Sequence, residues 1–261
     1  CKRHTKSWLL TYHALCLRIL YSDIDKLEDG NINFRVIDEE DQLAIIKSIY
    51  TDWNLKVDFG KRHKAKKVWS WINDIQIETL DMNNLVWSLD FQPTEELEKE
   101  KRNGLTKSDL DYVRGIYQEY QKRKKINGYL DFNDLIVVTY KLFKCSSEAK
   151  NKWSNKFSYI LVDEFQDTDK LQFNILKKLV GENTNVFAVG DPDQTIYEWR
   201  GAYANVFNDF EKSFKHTRVI MIEKNYRSSP QILEAVNELI SNNINRYVDT
   251  CRYMSVPQLL Y

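Results

Sequence analysis

The four cysteines, Cys1, Cys16, Cys145 and Cys251, are scattered and form no CxxC pair, and no histidine pair lies near them. Zinc-ligand spacing is therefore missing, and a disulfide framework does not suit a chain of 261 residues. Long apolar runs are missing too. No stretch approaches the eighteen or so apolar residues of a membrane span, and nothing reads as a signal peptide. There is no internal repeat and no low-complexity tract. Net charge is zero, with 38 basic against 38 acidic residues, so bulk electrostatics give no pointer to nucleic acid. Also absent is any GxxxxGK[ST] sequence, whose backbone amides and lysine would cradle nucleotide phosphates. These absences leave a reducing, cytoplasmic setting and no membrane partner as the expectation. The chain opens on Cys1 rather than methionine, which points to an internal fragment.

What is present is an ordinary globular composition, 43% hydrophobic and 29% charged, at a length that allows one large domain or two smaller ones. Charge is local. Lys61-Arg62-His63-Lys64-Ala65-Lys66-Lys67 and Lys122-Arg123-Lys124-Lys125 are basic clusters, either solvated helix faces or phosphate contacts. The first 150 or so residues carry helical spacing. Tyr12, Leu15, Cys16 and Ile19 form one stripe. Leu43, Ile46 and Ile49 form another after a cap at Asp38. Val68, Trp69, Ile72 and Ile75 form a third. Leu110, Val113, Tyr117 and Tyr120 follow the cap-like Thr106-Lys107-Ser108-Asp109, and Phe132, Leu135, Ile136 and Thr139 follow Asp131. All read as core. Residues 93–103, acidic then basic, read as an exposed excursion.

After Phe157 the period changes. Tyr159-Ile160-Leu161-Val162 reads as a short buried strand ending on Asp163-Glu164. Leu171, Ile175, Leu176 and Leu179 mark a helix that stops at Gly181. Residues 185–190 read as a second strand ending on Asp191. Strand, helix and strand make a βαβ unit, so the two strands should be parallel and their acidic ends should share one sheet edge. That edge is where open α/β sheets bind ligands. A third strand is expected over residues 218–222. Ser229 then caps a helix with Pro230 in its first turn, followed by Ile232, Leu233, Val236 and Leu239.

Five ordered segments carry a resemblance. Thr11-Tyr12-His13-Ala14-Leu15 is similar to a T-F-H motif, with Tyr12 in place of the usual Phe. Leu130-Asp131-Phe132-Asn133-Asp134-Leu135 is similar to an L-D-F-x-D-L segment. Asp163-Glu164-Phe165-Gln166-Asp167 follows, then Gly190-Asp191-Pro192-Asp193-Gln194 running on to Trp199-Arg200-Gly201-Ala202, and last Asn225-Tyr226-Arg227-Ser228. In order and spacing the first and the last three resemble motifs Ib, II, III and IV of the superfamily 1A DNA helicases, the UvrD/Rep/PcrA family, and the second resembles the segment that precedes motif II there.

The resemblance implies an α/β fold: part of a RecA-like parallel sheet of the P-loop NTPase type, with a large, mainly helical insertion. It divides the chain into residues 1–154, similar to the 1B insertion; 155–223, the C-terminal half of domain 1A; and 224–261, the start of domain 2A. The implied cofactors are ATP and Mg²⁺. Asp163 is similar to the magnesium-holding aspartate and Glu164 to the carboxylate that activates the hydrolytic water. Gln194 is similar to the γ-phosphate sensor, an amide that can donate to phosphate without adding charge. Arg227 resembles an arginine that reaches the γ-phosphate, and Tyr226 the residue that stacks on adenine. Thr11 and His13 resemble contacts to the DNA backbone. Tyr197, Trp199 and Arg200 resemble residues that stack on bases and hold a phosphate, although Glu198 sets a negative charge among them.

The implied activity is ATP-driven translocation on single-stranded DNA in the 3′ to 5′ direction, with unwinding at junctions between single and double strands. Because the phosphate-binding loop and the later motifs V and VI are absent, the fragment alone is expected to be inactive. Two other readings stay open: a metal nuclease built from Asp163, Glu164, Asp167 and Asp191, and a non-catalytic module that binds DNA or a partner protein.

Overall fold

The computed structural model describes residues 7–55, 59–78, 80–81, 86–87, 106–195, 206–222, 224–242 and 254–255. The excursion expected over residues 93–103 lies outside them. The chain falls into two compact units, Cys1–Trp153 and Ser154–Tyr261.

In the first unit side-chain caps set the helix starts, at Asp38, Thr106 and Asp131 where the sequence placed them and at Thr11 where it had not. Thr11 Oγ1 accepts from the Ala14 N–H at 3.2 Å and opens α1 (Tyr12–Asp23). After β1 (Arg35–Val36), Asp38 Oδ1 accepts from the Asp41 N–H at 2.9 Å and opens α2 (Glu39–Asp52). Glu39, Glu40 and Asp41 fill its first turn, where carboxylates complement the helix dipole. Then come α3 (Phe59–Arg62), α4 (Ala65–Glu78) and an antiparallel pair, β2 (Leu80–Asp81) and β3 (Val86–Trp87). Helix α5 (Lys107–Asn127) starts with a reciprocal capping box between Thr106 and Asp109. Next, β4 (Tyr129–Leu130) pairs in parallel with β1. Asp131 and Asp134 form a second capping box at the start of α6 (Phe132–Cys145), and α7 (Ser147–Ser154) follows.

Helices α2, α4 and α5 bury one core, with Ile46, Ile49, Val68, Trp71, Val113 and Tyr117 fully enclosed. Two of the expected stripes need correction. Trp71, not Trp69, is the enclosed tryptophan of α4. Trp69 packs at the margin because its indole N–H donates to Gln42 Oε1 at 3.1 Å. Phe132 is about half exposed, since the first residue of α6 lies where the capping box turns the chain.

Helix α5 ends at Gly128, whose φ of 64° and ψ of 34° lie in the left-handed region. A Cβ there would also overlap the Asn31 side chain. Gly128→Ala is therefore expected to destabilise the unit by about 1–2 kcal/mol in urea denaturation, and an unchanged midpoint would contradict this account.

Beneath α5 and α6 lies a closed ionic centre. Lys124 is 2% exposed, and its Nζ donates to Asp131 Oδ2 at 2.6 Å and Asp134 Oδ2 at 2.7 Å. Tyr120 Oη and Gln76 Nε2 also donate to Asp131 Oδ2, each at 3.1 Å. Burial pushes Asp134 up to about 6, with the Asp131 charge adding to it and Lys124 opposing it. Burial also opposes the ionisation of Asp131, but Lys124 outweighs it and holds that carboxyl low. One cation facing two carboxylates explains why they diverge.

Lys124 is thus not on the solvated face that the basic run suggested. Its neighbour Arg123 bridges Glu119 and Asp52. In the other basic cluster Arg62 pairs with Asp109 and Lys66 with Glu39. At the end of α1, Asp23 is buried and accepts from Lys152 Nζ and from the Trp153 indole N–H, each at 2.8 Å. Burial opposes its ionisation, yet these bonds and the Lys26 ion pair hold the carboxyl well below the usual range.

The second unit is built on the expected βαβ element: β5 (Tyr159–Val162), α8 (Lys170–Leu179) and β6 (Asn185–Ala188). The strands are parallel, in register from Tyr159 opposite Asn185 to Val162 opposite Ala188. Helix α9 (Val206–Ser213) follows, then β7 (Lys224–Asn225), α10 (Pro230–Ile240) and β8 (Met254–Ser255), with β7 and β8 parallel. Pro230 stands in the first turn of α10 as the sequence implies, whereas Ser229 takes the N-cap position without a side-chain capping bond.

Strand β5 departs from expectation, because it is not buried on both faces. Ile160 and Val162 pack on Phe165, Phe173 and Leu176, whereas Leu161 is 73% exposed and Phe187 opposite it is 56% exposed. The core partners of the inner side chains come from α8, α9 and the turn after β5, so one face of this pair is covered. A continuous apolar run fits a strand enclosed on both sides, so it could not reveal this. Residues 218–222 also form no strand. They have no ladder partner among the described residues, and Ile220 and Ile222 are exposed.

Candidate functional site

The parallel register of β5 and β6 brings Asp163-Glu164 and Asp191 to one edge of the sheet. Beyond the last ladder pair the chains stay joined, with the Val189 N–H donating to Val162 O and the Phe165 N–H to Val189 O, each at 2.9 Å. Glu164 then leaves the strand with φ 48° and ψ 47°, a left-handed conformation costly for any residue but glycine. Its N–H donates to Asp163 Oδ1 at 3.0 Å, and its carbonyl accepts from the Asp167 N–H at 2.9 Å. Both acidic side chains are exposed. A tight, strained turn thus sets two carboxylates side by side on the sheet edge, facing solvent.

Gln166, which sequence reasoning passed over, is the most constrained side chain of this turn. It is 3% exposed. Its Nε2 donates to Glu164 Oε2 at 2.7 Å, and its Oε1 accepts from the Asp191 N–H at 3.1 Å. Asp191 Oδ1 accepts from the Asp193 N–H at 3.0 Å, and its Oδ2 accepts from Gln194 Nε2 at 2.7 Å. Gly190 makes this junction possible. A Cβ there would overlap Gln166 Oε1 and come within 2.9 Å of the Phe165 backbone nitrogen. The signal available in the sequence was an amide and a glycine beside the acids, but nothing in their spacing says that they meet.

Asp167 stands apart from that chain. Its Oδ1 is buried without a hydrogen-bond partner. Burial, then the charge of Glu164, pushes its carboxyl up. Among the described residues no three acidic, histidine or cysteine side chains cluster as a metal-binding group. The four carboxylates of the nuclease reading are therefore not drawn together as a multi-ligand cage. The single exposed carboxylate of Asp163 suits a hydrated cation that takes most of its ligands from water and phosphate.

In the Asn225–Ser228 turn, Asn225 Oδ1 accepts from the N–H groups of Arg227 and Ser228, both at 2.9 Å. This holds the backbone while the Tyr226 ring, 81% exposed, and the Arg227 side chain point to solvent. In the first unit, Thr11 uses its oxygen as a helix cap. The His13 ring packs edge-on against Phe132, with centroids 5.8 Å apart, and burial lowers its proton affinity. His13 is therefore neutral at physiological pH and has a ring N–H, not a charge, to offer a phosphate. Tyr197, Trp199 and Arg200 lie outside the described residues.

Comparison with known proteins shows the family. Residues 1–215 match the UvrD/REP helicase N-terminal domain. The chain belongs to that family. Among relatives of this UvrD/REP-type chain, the ATP-dependent DNA helicase PcrA of Bacillus subtilis (strain 168) is 38% identical over 240 residues, covering 92% of this chain and 30% of the relative. A probable DNA helicase II homolog of Mycoplasma capricolum is 37% identical over 239 residues, covering 90% and 30%. PcrA of Staphylococcus aureus (strain Mu50) is 36% identical over 243 residues, covering 92% and 30%. The UvrD/REP-type chain thus spans about a third of the length of these helicases. Among its described residues no helix is long and apolar enough to cross a membrane.

Proposed function

We propose that this chain is the part of an ATP-dependent, 3′ to 5′ single-stranded DNA translocase and helicase that carries the water-activating and phosphate-sensing side of the ATP site. The observation that carries the reading is the shared edge: Asp163-Glu164 and the Asp191–Gln194 turn stand at the ends of two hydrogen-bonded parallel strands. A RecA-like sheet uses such an edge for nucleotide. The division of the chain near residue 154 fits a helical 1B insertion before it and the second half of domain 1A from residue 155; the start of domain 2A near residue 224 rests on the motif resemblance.

In this reading Asp163 holds Mg²⁺, which neutralises phosphate charge when ATP is bound. Glu164 orients a water and accepts its proton, and Gln194 donates to the terminal phosphate. The exposed Tyr226 ring stacks on adenine, and Arg227, on a turn fixed by Asn225, approaches the γ-phosphate. Thr11, His13, Tyr197, Trp199 and Arg200 contact single-stranded DNA.

The phosphate-cradling loop is not encoded in these 261 residues. The chain by itself is therefore expected to show no ATP turnover when mixed with ATP, magnesium and single-stranded DNA. The same residues within a protein of the relatives' length are expected to turn over ATP with DNA stimulation and to unwind a duplex bearing a 3′ overhang. Robust turnover by the short chain, or none by the long one, would overturn this assignment.

A further inference from the structure

We propose that Gln166 is a positioning residue that couples the water-activating Glu164 to the phosphate-sensing Gln194 through the backbone of Asp191. This inference rests on the helicase reading and assigns a task to a side chain which that reading leaves unused.

The chain of contacts is continuous: Gln194 Nε2 to Asp191 Oδ2 at 2.7 Å, Asp191 N–H to Gln166 Oε1 at 3.1 Å, and Gln166 Nε2 to Glu164 Oε2 at 2.7 Å. Its polarity is fixed by chemistry. The Asp191 N–H can only donate, so it must face the amide oxygen of Gln166. The ionised Glu164 carboxylate only accepts, so it must face the amide nitrogen. No other side chain of this length satisfies both neighbours. Glutamate would lose the donor, methionine would lose both groups, and asparagine is one methylene short. The amide is buried and sits against the bare Cα of Gly190, so it has no second place to go.

A movement of the Asp191–Gln194 turn, such as engagement of a terminal phosphate by Gln194, therefore reaches Glu164 through a single amide. The amide holds one carboxylate oxygen of Glu164, leaving the other to meet water. Its loss should affect the chemical step and leave ground-state nucleotide binding alone, because Gln166 itself is buried away from solvent.

The test uses Gln166→Glu and Gln166→Met in the protein at the length of its helicase relatives, with a second readout in the 261-residue chain. Both variants are expected to lower kcat on the order of ten- to a hundredfold while KM for ATP and affinity for single-stranded DNA stay within about threefold. Gln166→Glu keeps an acceptor for the Asp191 N–H, so slow hydrogen exchange of that amide should persist in Gln166→Glu and be lost in Gln166→Met. Wild-type kcat in both variants, or equal exchange of the Asp191 amide in all three chains, overturns the inference. A wild-type protein that never hydrolyses ATP counts against the helicase reading instead, and the exchange measurement then decides whether the amide link exists.

Discussion

Glu164→Gln, made in the protein at the length of its helicase relatives, is expected to lower ATP turnover on the order of 10²- to 10⁴-fold, with affinity for ATP held within about threefold. The substitution keeps side-chain length and leaves an oxygen for the Gln166 amide, whose 2.7 Å bond anchors the native carboxylate. The turn itself should survive, because it is fixed by backbone bonds: Phe165 N–H to Val189 O and Asp167 N–H to Glu164 O. What disappears is the capacity to accept a proton from water. A backbone held at φ 48° costs about 1–2 kcal/mol in a residue with a Cβ. Such strain is retained where surrounding contacts impose it, often at functional sites. Here it turns the glutamate away from the strand axis and towards solvent at the sheet edge. Steady-state turnover together with binding of a fluorescent ATP analogue checks the expectation. Turnover within threefold of wild type would remove Glu164 from the water-activating role.

Lys124→Met is expected to produce the largest loss of stability, about 3–5 kcal/mol at neutral pH by urea denaturation. Methionine fills a similar volume, so the loss measures uncompensated charge and not a cavity. Removing the ammonium leaves Asp131 and Asp134 buried together with only neutral donors such as Tyr120 and Gln76.

The pH dependence has a definite sign. In the native protein Asp131 is held low, so its contribution is present above the ordinary carboxylate range and fades as pH falls through its lowered value. Asp134, pushed up to about 6, acts in the opposite sense. It takes up a proton more readily folded than unfolded, so its effect favours folding at acid pH and is lost as pH rises from about 4 to about 6. Without Lys124 both carboxyls behave as Asp134 does. The deficit of the variant should therefore shrink at about pH 5 and be greatest at neutral pH. A deficit below about 1 kcal/mol at both pH values would mean that water enters the site and solvates the acids.

Much of the scaffold was legible because it depends on neighbours in sequence. The caps at Asp38, Thr106 and Asp131 each use a side-chain oxygen and a backbone N–H three residues away, so a short window contains the whole interaction. The parallel pairing of β5 and β6 followed from a strand, helix and strand order with no room for another connection. The acidic strand ends followed in turn.

Which face of β5 is covered, and which tryptophan of α4 is enclosed, depend on elements distant in sequence, and no local period contains that information. Lys124 escapes a local reading even though its partners lie only seven and ten residues on. Within a run of basic residues it looked like a solvated charge, and only the approach of α6 with two capping carboxylates makes it the centre of a buried network.

The same division runs through the candidate site. By itself the sequence determined that Asp163 and Glu164 end one strand and Asp191 another, since residue type and spacing along one chain suffice for that. Only the tertiary structure decided that Gln166 and Gly190 join them. That junction depends on the two strands lying a ladder's width apart, where a glycine without a Cβ lets one amide join the Asp191 backbone to the Glu164 carboxylate.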